Sequence, residues 1–545
     1  MDKKILFSFF LIACFFQNIF AQPTITSFTP TNGKVGTLVT ITGTNLTSPT
    51  VFTIGSVPAI IVSNIGTTLV GMVMPGATTN TISITTTSGV ATSSGNFTIT
   101  STLYPQTQQG SKLVGTGAIG ATVYQGNSIA ISANGNTAIC SGYNDSNGIG
   151  ATWVFTRSGN TWTQQGVKLI GTGAVGTASQ GVSVSLSADG NTAIIGGYND
   201  NAFIGAAWIF TRNGSTWAQQ GAKLIGTGAV GAAHQGSSVS ISADGNTAIV
   251  GGYNDSSGKG AVWVYTRIGS AWTQQGGKLV GTGTIGNSYQ GASASISANG
   301  NTAIVGGFND STGKGAVWVF TRNGSTWTQQ GAKLVGTGVI GNAMQGNSLS
   351  LSADGNTAIV GGFGDNSFLG AAWIFTRNIS VWTQQGSKLI GTGAVGAAHQ
   401  GNSVSISADG NTAIVGGSCD SSNVGAAWVY IRSGGVWAQY GAKLLGTSAI
   451  GAGNQGAAVS ISADGNTTIV GGCSDSLNKG ATWVYVSSAL LPIQLTSFDA
   501  KLIVDRVKGI GNGEVLCTWQ TASELNNDYF EVERSTVGSP QTTDH

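Results

Sequence analysis

The chain has 545 residues, room for several domains, yet only 8% are charged and the formal net charge is +2. So neutral a balance gives no argument for a nucleic acid or an anionic membrane as partner. Gly numbers 86 against 8 Pro with no Gly-X-Y period, which excludes a collagen-like chain and points to strands and tight turns.

Residues 1–21 read as a signal peptide. Lys3 and Lys4 form the positive start, Ile5 to Phe20 is largely apolar, and the small Ala21 precedes Gln22. Leu11-Ile12-Ala13-Cys14 resembles a lipobox, so a lipoprotein signal is the competing reading. No later segment offers the ~18–20 apolar residues of a spanning helix. The expected location is therefore secreted or cell-surface, including association with the outer-membrane surface.

Residues 22–100 form the first domain. Val39-Thr40-Ile41-Thr42 and Thr81-Ile82-Ser83-Ile84-Thr85 alternate with the period of half-buried strands. With Pro23 to Pro30, Gly33 and Gly36, and the Gly43-Thr44-Asn45 turn, the segment resembles an IPT/TIG domain. The resemblance implies an immunoglobulin-like sandwich that serves as a spacer or binding module at a cell surface. The family's DNA-contact role in some transcription factors fits neither the leader nor the low charge.

Residues 101–488 are a repeat array. Gly-Ala-x-Trp and its variants begin at Gly150, Gly205, Gly260, Gly315, Gly370, Gly425 and Gly480, seven copies at a fixed step of 55 residues. In one copy, Ser403–Ser407 alternates, Asp409-Gly410-Asn411 is a hairpin turn, and Thr412–Gly417 is nearly all apolar. Ala427–Ile431 is a third strand and Val436–Leu444 a fourth. Four antiparallel strands, seven times over, predict a seven-bladed β-propeller, with a solenoid as the alternative. The array starts on a fourth-type strand, Gln106–Val114, and stops on a third-type strand, Trp483–Val486, so the two ends are expected to pair and close the ring. Seven Trp fall in third strands and six in fourth strands, and all are read as packing between blades.

The run Gln-Gly-x-Ser-Val-Ser-Ile-Ser-Ala-Asp-Gly-Asn-Thr-Ala-Ile-Val-Gly-Gly, followed by Gly-Ala-x-Trp-Val-Phe, resembles the FG-GAP repeats of integrin-like propellers. That family's calcium loops are not carried over. The turns here hold one carboxylate each, at Asp189, Asp244, Asp354, Asp409 and Asp464, with Asn134 and Asn299 in the other two copies. One carboxylate in a tight turn falls short of the six or more oxygens calcium takes.

Residues 489–545 change composition, and all four Glu occur from Glu514 onward. Leu491–Ala500, Thr518–Glu524 and Asn527–Ser535 resemble the fibronectin-like segment ahead of type-nine sorting signals. The resemblance implies a partial sandwich and a secreted bacterial protein. The final residues, 536–545, are expected to be disordered. Cys140, Cys419, Cys473 and Cys517 match no metal-ligand spacing and are read as free thiols rather than disulfides.

Candidate chemistry is sparse. A substrate site in a propeller should break the repeat, yet no nucleophile elbow, phosphate loop or Cys-His pairing occurs. No catalytic residue, metal or cofactor is therefore expected. One column before Gln-Gly varies: Tyr124, Ser179, His234, Tyr289, Met344, His399 and Asn454. It is read as solvent-exposed and, with Tyr124, His234, Tyr289 and His399, as a candidate ligand contact. Asp145, Asp200, Asp255, Asp310, Asp365, Asp420 and Asp475 recur between strands two and three. They read either as turn caps or as a polar ring lining one face for a ligand. The matching Lys112, Lys168, Lys223, Lys278, Lys333, Lys388 and Lys443 read as solvated edge residues. The expected function is a non-catalytic adhesion or interaction protein for an extracellular protein or glycan. A matrix component, or a propeller glycan hydrolase or lyase, are the alternatives.

Overall fold

The computed structural model describes residues 21–100, 104–487, 495–503 and 514–521. The expected signal peptide, Cys14 and the terminal tail lie outside the described residues. The chain divides into two compact units near residue 100.

The first unit is two β-sheets. One orders Thr24–Thr29, Leu38–Thr44, Thr68–Met72 and Ile60–Asn64. The other orders Asn32–Gly33, Gly89–Ile99, Asn80–Thr86, Val51–Ile54 and Val57–Pro58. The alternation in the sequence is realised directly: Val39, Ile41 and Gly43 of one strand are buried while their neighbours are not. Val39, Ile41, Phe52, Leu69, Ile82, Ile84 and Phe97 form one core between the sheets.

The second unit contains seven four-stranded antiparallel sheets. In the third repeat the strands are Ser238–Ile241, Thr247–Gly252, Ala261–Ile268 and Ala271–Gln274. The second strand is buried at every residue, as its continuous apolar character requires. The third-strand Trp rings, such as Trp263, are fully buried, and each indole Nε1 donates to a threonine carbonyl, here Thr227 at 2.8 Å. A Cβ on Gly226 would stand 2.2 Å from that indole, so the first glycine of the Gly-Thr-Gly stretch is there to admit the ring.

The fourth strand is shorter than expected. It ends at the first Gln of Gln-Gln-Gly in sheets one to five, where a glycine at positive φ such as Gly276 (φ 73°) turns the chain; pairing then resumes at one bridge, Val262 with Leu279. Only the sixth repeat keeps it continuous, Val436–Leu444.

The seventh sheet takes its fourth strand from the start of the array: Thr107 pairs with Val486 and Gln108 with Tyr485, and Leu113 bridges Thr482. Neighbouring sheets are joined by a backbone hydrogen bond between equivalent alanines. Ala133 N–H donates to Ala188, and the series continues through Ala243, Ala298, Ala353, Ala408 and Ala463, which donates back to Ala133, each at 2.9–3.1 Å. The circuit is closed, with every member used once as donor and once as acceptor. Leu495–Ile503 and Glu514–Thr521 pair as an antiparallel hairpin, where the sequence suggested part of a larger sandwich.

Candidate functional site

Each segment joining the second and third strands has one of the recurrent aspartates as its third residue and then takes two residues in the left-handed region, as at Ser146 (φ 53°) and Asn147 (φ 57°). Such residues cost roughly 1–2 kcal/mol each, and the aspartate supplies the compensation. Asp145 Oδ1 accepts the Ile119 N–H at 2.7 Å, and Oδ2 accepts Lys168 Nζ at 2.5 Å and the Ser146 hydroxyl at 2.8 Å. Ile119 lies in the crossover that leads into the same repeat, so the carboxylate ties the two long connections of a sheet together.

This corrects two expectations. Asp145, Asp200, Asp255, Asp310, Asp365, Asp420 and Asp475 do not line a face for a ligand. All seven are buried, at 0–1% side-chain exposure, and each is ion-paired with a lysine of the other charged column at 2.5–2.6 Å. Those lysines, 12–21% exposed, are partners of a buried charge and not solvated edge residues. The physical reason is the desolvation cost of a lone buried carboxylate, which burial tolerates only when it is paired and hydrogen-bonded.

The varied column is also placed differently from the sequence reading. Tyr124, Ser179, His234, Tyr289, Met344, His399 and Asn454 all lie at positive φ, between 51° and 61°. Ser179 is buried and the other six are half-buried. Gln125, Gln180 and their equivalents, which follow them, fix this geometry. Gln180 Oε1 accepts the Gly171 N–H at 2.5 Å and its Nε2 donates to the Gly171 carbonyl at 2.9 Å, so one buried amide holds the crossover at both backbone groups.

The column meets a second one that sequence reasoning missed, directly after the second strand: Tyr143, Tyr198, Tyr253, Phe308, Phe363, Ser418 and Cys473. Tyr124 stacks on Tyr143 with centroids 5.2 Å apart. His234 lies between Tyr198 (5.6 Å) and Phe203 (5.2 Å), and its Nδ1 is 3.0 Å from the Tyr253 hydroxyl. Tyr289 contacts both Tyr253 and Phe308, and His399 packs on Phe363 and Phe368. Aromatic side chains thus run through five of the seven sheets and stop at two, where Ser418 and Cys473 stand.

Residues 23–101 match the IPT/TIG domain family. The two sheets of the first unit are that immunoglobulin-like domain. No curated protein is matched by the chain. The IPT/TIG segment carries none of the aromatic arc, which belongs wholly to the repeat array.

Electrostatically the arc is neutral. Burial lowers the pKa of His234 and His399, which favours uncharged imidazoles, and burial raises Tyr143 and Tyr253. Among the described residues no group of three His, Cys, Asp or Glu side chains converges as a metal site would require. The Asp-Gly-Asn carboxylates are occupied within their own turns: Asp244 Oδ1 accepts Ser242 and the Asn246 N–H, and Oδ2 accepts the Asn246 amide. Cys140, Cys419 and Cys473 are free thiols, and burial pushes Cys140 up to about 11. Among the described residues no helix is long and apolar enough to cross a membrane.

Proposed function

We propose that this chain is a secreted or cell-surface interaction protein without catalytic activity. In this reading the seven sheets are the blades of one seven-bladed propeller of the FG-GAP kind. An IPT/TIG spacer precedes it, and a partial fibronectin-like segment of the type found in type-nine-secreted proteins follows. The closed alanine circuit and the strand shared between the array's two ends support the propeller.

The observation that carries the functional reading is the interrupted aromatic arc on the side of the crossovers. Near-identical repeats have no packing need to differ there, and half-buried rings bearing hydroxyl and imidazole groups suit contact with an extracellular macromolecule. The tightly paired aspartates and lysines beneath hold the arc's backbone in place. The test is adhesion of the mature chain to cells of the producing bacterium, compared with a Tyr124→Ala, His234→Ala, Tyr289→Ala, His399→Ala variant. Adhesion should fall at least about tenfold, as expected for loss of a hot-spot cluster, in a variant that still unfolds cooperatively at a lowered melting temperature. Undiminished adhesion overturns the assignment of this face.

A further inference from the structure

The fourth-strand tryptophans other than the buried Trp382, unlike those of the third strands, are only half-buried, and a cavity opens beside two of them. Between the third and fourth sheets it measures about 340 Å³ and is lined by Gln275, Leu279, Ser325, Thr326 and Trp327, with two glycines. The equivalent cavity between the first and second sheets, about 320 Å³, is lined by Gln165, Leu169, Ser215, Thr216 and Trp217. Both fall at the small end of ligand-site volumes, ~300–1,000 Å³.

The polar chemistry of these cavities is fixed by a network on one side. Gln275 Oε1 accepts Trp327 Nε1 at 2.9 Å and Arg322 Nη1 at 3.2 Å. Both partners can only donate, so the amide has a single orientation and its Nε2 presents two N–H donors away from them. The Arg322 guanidinium sits 5.4 Å over the Trp327 ring and does not line the cavity, whereas the indole does. Exposed hydroxyls of Ser325 and Thr326 complete the wall. None of the lining residues is charged, and Lys278 nearby is engaged by Asp255.

We infer that these inter-sheet cavities are saccharide subsites for a neutral, repeating glycan. An indole side, an oriented amide donor and hydroxyls that both donate and accept suit the apolar C–H face and the hydroxyls of a pyranose ring. With no charged residue in the lining, the cavities offer a uronate or sialylated chain no direct ion pair. The same Trp-to-Gln bond recurs at six junctions, from Trp162–Gln109 to Trp437–Gln385. At the seventh, Tyr440 replaces the glutamine and packs against Tyr104 at 4.8 Å. The Ser-Thr pair that supplies the hydroxyls precedes the tryptophan only at Trp217 and Trp327, so the two cavities are the two complete sites, and a repeating polymer that occupies both gains affinity through effective concentration. These subsites are separate from the aromatic arc and stand or fall without it.

The test titrates the mature chain with cellohexaose, laminarihexaose and mannohexaose, with the corresponding polymers, and with polygalacturonate, by calorimetry and tryptophan fluorescence. At least one neutral hexaose should bind weakly and its polymer at least about tenfold more tightly, while polygalacturonate should not bind. A Ser215→Arg, Ser325→Arg variant fills both cavities from exposed positions and should remove most of the binding capacity with an unchanged melting temperature. A Trp217→Ala, Trp327→Ala variant should lose binding likewise while still unfolding cooperatively, at a melting temperature lowered by the loss of two half-buried rings. Absence of binding by all three neutral series, preference for polygalacturonate, or full capacity in both variants overturns the inference. The variant of the aromatic arc should retain glycan binding, which separates this result from the adhesion test.

Discussion

Two sets of tryptophans recur with the same period and differ in almost everything else. Those of the third strands, Trp153 to Trp483, are wholly buried and bonded to a crossover carbonyl. Those of the fourth strands, Trp162 to Trp437, are bonded to a glutamine of the preceding sheet, lie under an arginine, and mostly remain half-exposed. Recurrence therefore marks what duplication copied and does not separate a core residue from an available one. The aspartates repeat the lesson: Asp310 is sealed in and ion-paired, whereas Asp354 closes a surface turn and is replaced by Asn in two copies.

The comparison is most easily broken by truncating one ring of each kind. Trp263→Ala removes a fully buried indole with its hydrogen bond and should cost about 3–5 kcal/mol. Trp272→Ala, at the half-buried rim, should cost about 1–2 kcal/mol, the range of most single substitutions. Denaturant unfolding of the two variants measures both, and equal losses would erase the distinction.

The charged columns sharpen it with a smaller expected effect and an internal control. Lys333→Ala strands the Asp310 carboxylate, 0% exposed, and should cost about 3 kcal/mol, the low end for a broken buried pair, because the Ile285 N–H and the Ser311 hydroxyl still bond it. Asp354→Asn should stay within about 0.5 kcal/mol, since Asn299 makes the same bonds to Ser297 and to the Asn301 N–H in its own turn. A large loss at Asp354 would mean that the turns carry a role their geometry does not reveal.

Much of this architecture was legible in the sequence. The strands of the sixth repeat fall within a few residues of their expected bounds, because the period-two alternation, the Asp-Gly-Asn turn and the apolar second strand each state a local preference that the packing keeps. The partner of each aspartate was not legible. Both charged columns share one period, so Lys168 stands 23 residues after Asp145 and 32 before Asp200, and only packing chooses the first, as it chooses Asp475 for Lys112 at the array's end. The second aromatic column was missed for a related reason. Tyr143 and its equivalents directly follow a strand that reads as core throughout, and the available signal was the change to Ser418 and Cys473. The oriented glutamine amides could not have been found, since they depend on a ring and a guanidinium brought from the next repeat.

His234 lies between the two extremes, neither sealed like Trp263 nor free like a loop tip, and it should give the smallest effect. Its pKa is lowered by burial, and no carboxylate offsets that burial. Protonation therefore favours the unfolded chain, whose imidazole titrates near its ordinary value of about 6.5. The stability this group contributes is complete above that pH and is lost as pH falls through the lower folded value. His399 has the same sign for the same cause. The melting temperature of the mature chain should then drop between pH 7.5 and pH 5, and the drop should shrink in a His234→Gln, His399→Gln variant, which cannot take up a proton at either position. Because His234 Nδ1 meets the Tyr253 hydroxyl, itself held neutral by burial, the ring needs that nitrogen as an acceptor if the tyrosine donates. Acidification makes Nδ1 a donor, so the Tyr253 hydroxyl must reverse its role and accept; with a positive charge brought into the half-buried arc, adhesion through it should weaken over the same interval, while glycan binding at the tryptophan cavities, which contain no titrating group, should not. A melting temperature that rises on acidification, or an equal drop in the variant, would place the pH response elsewhere in the molecule.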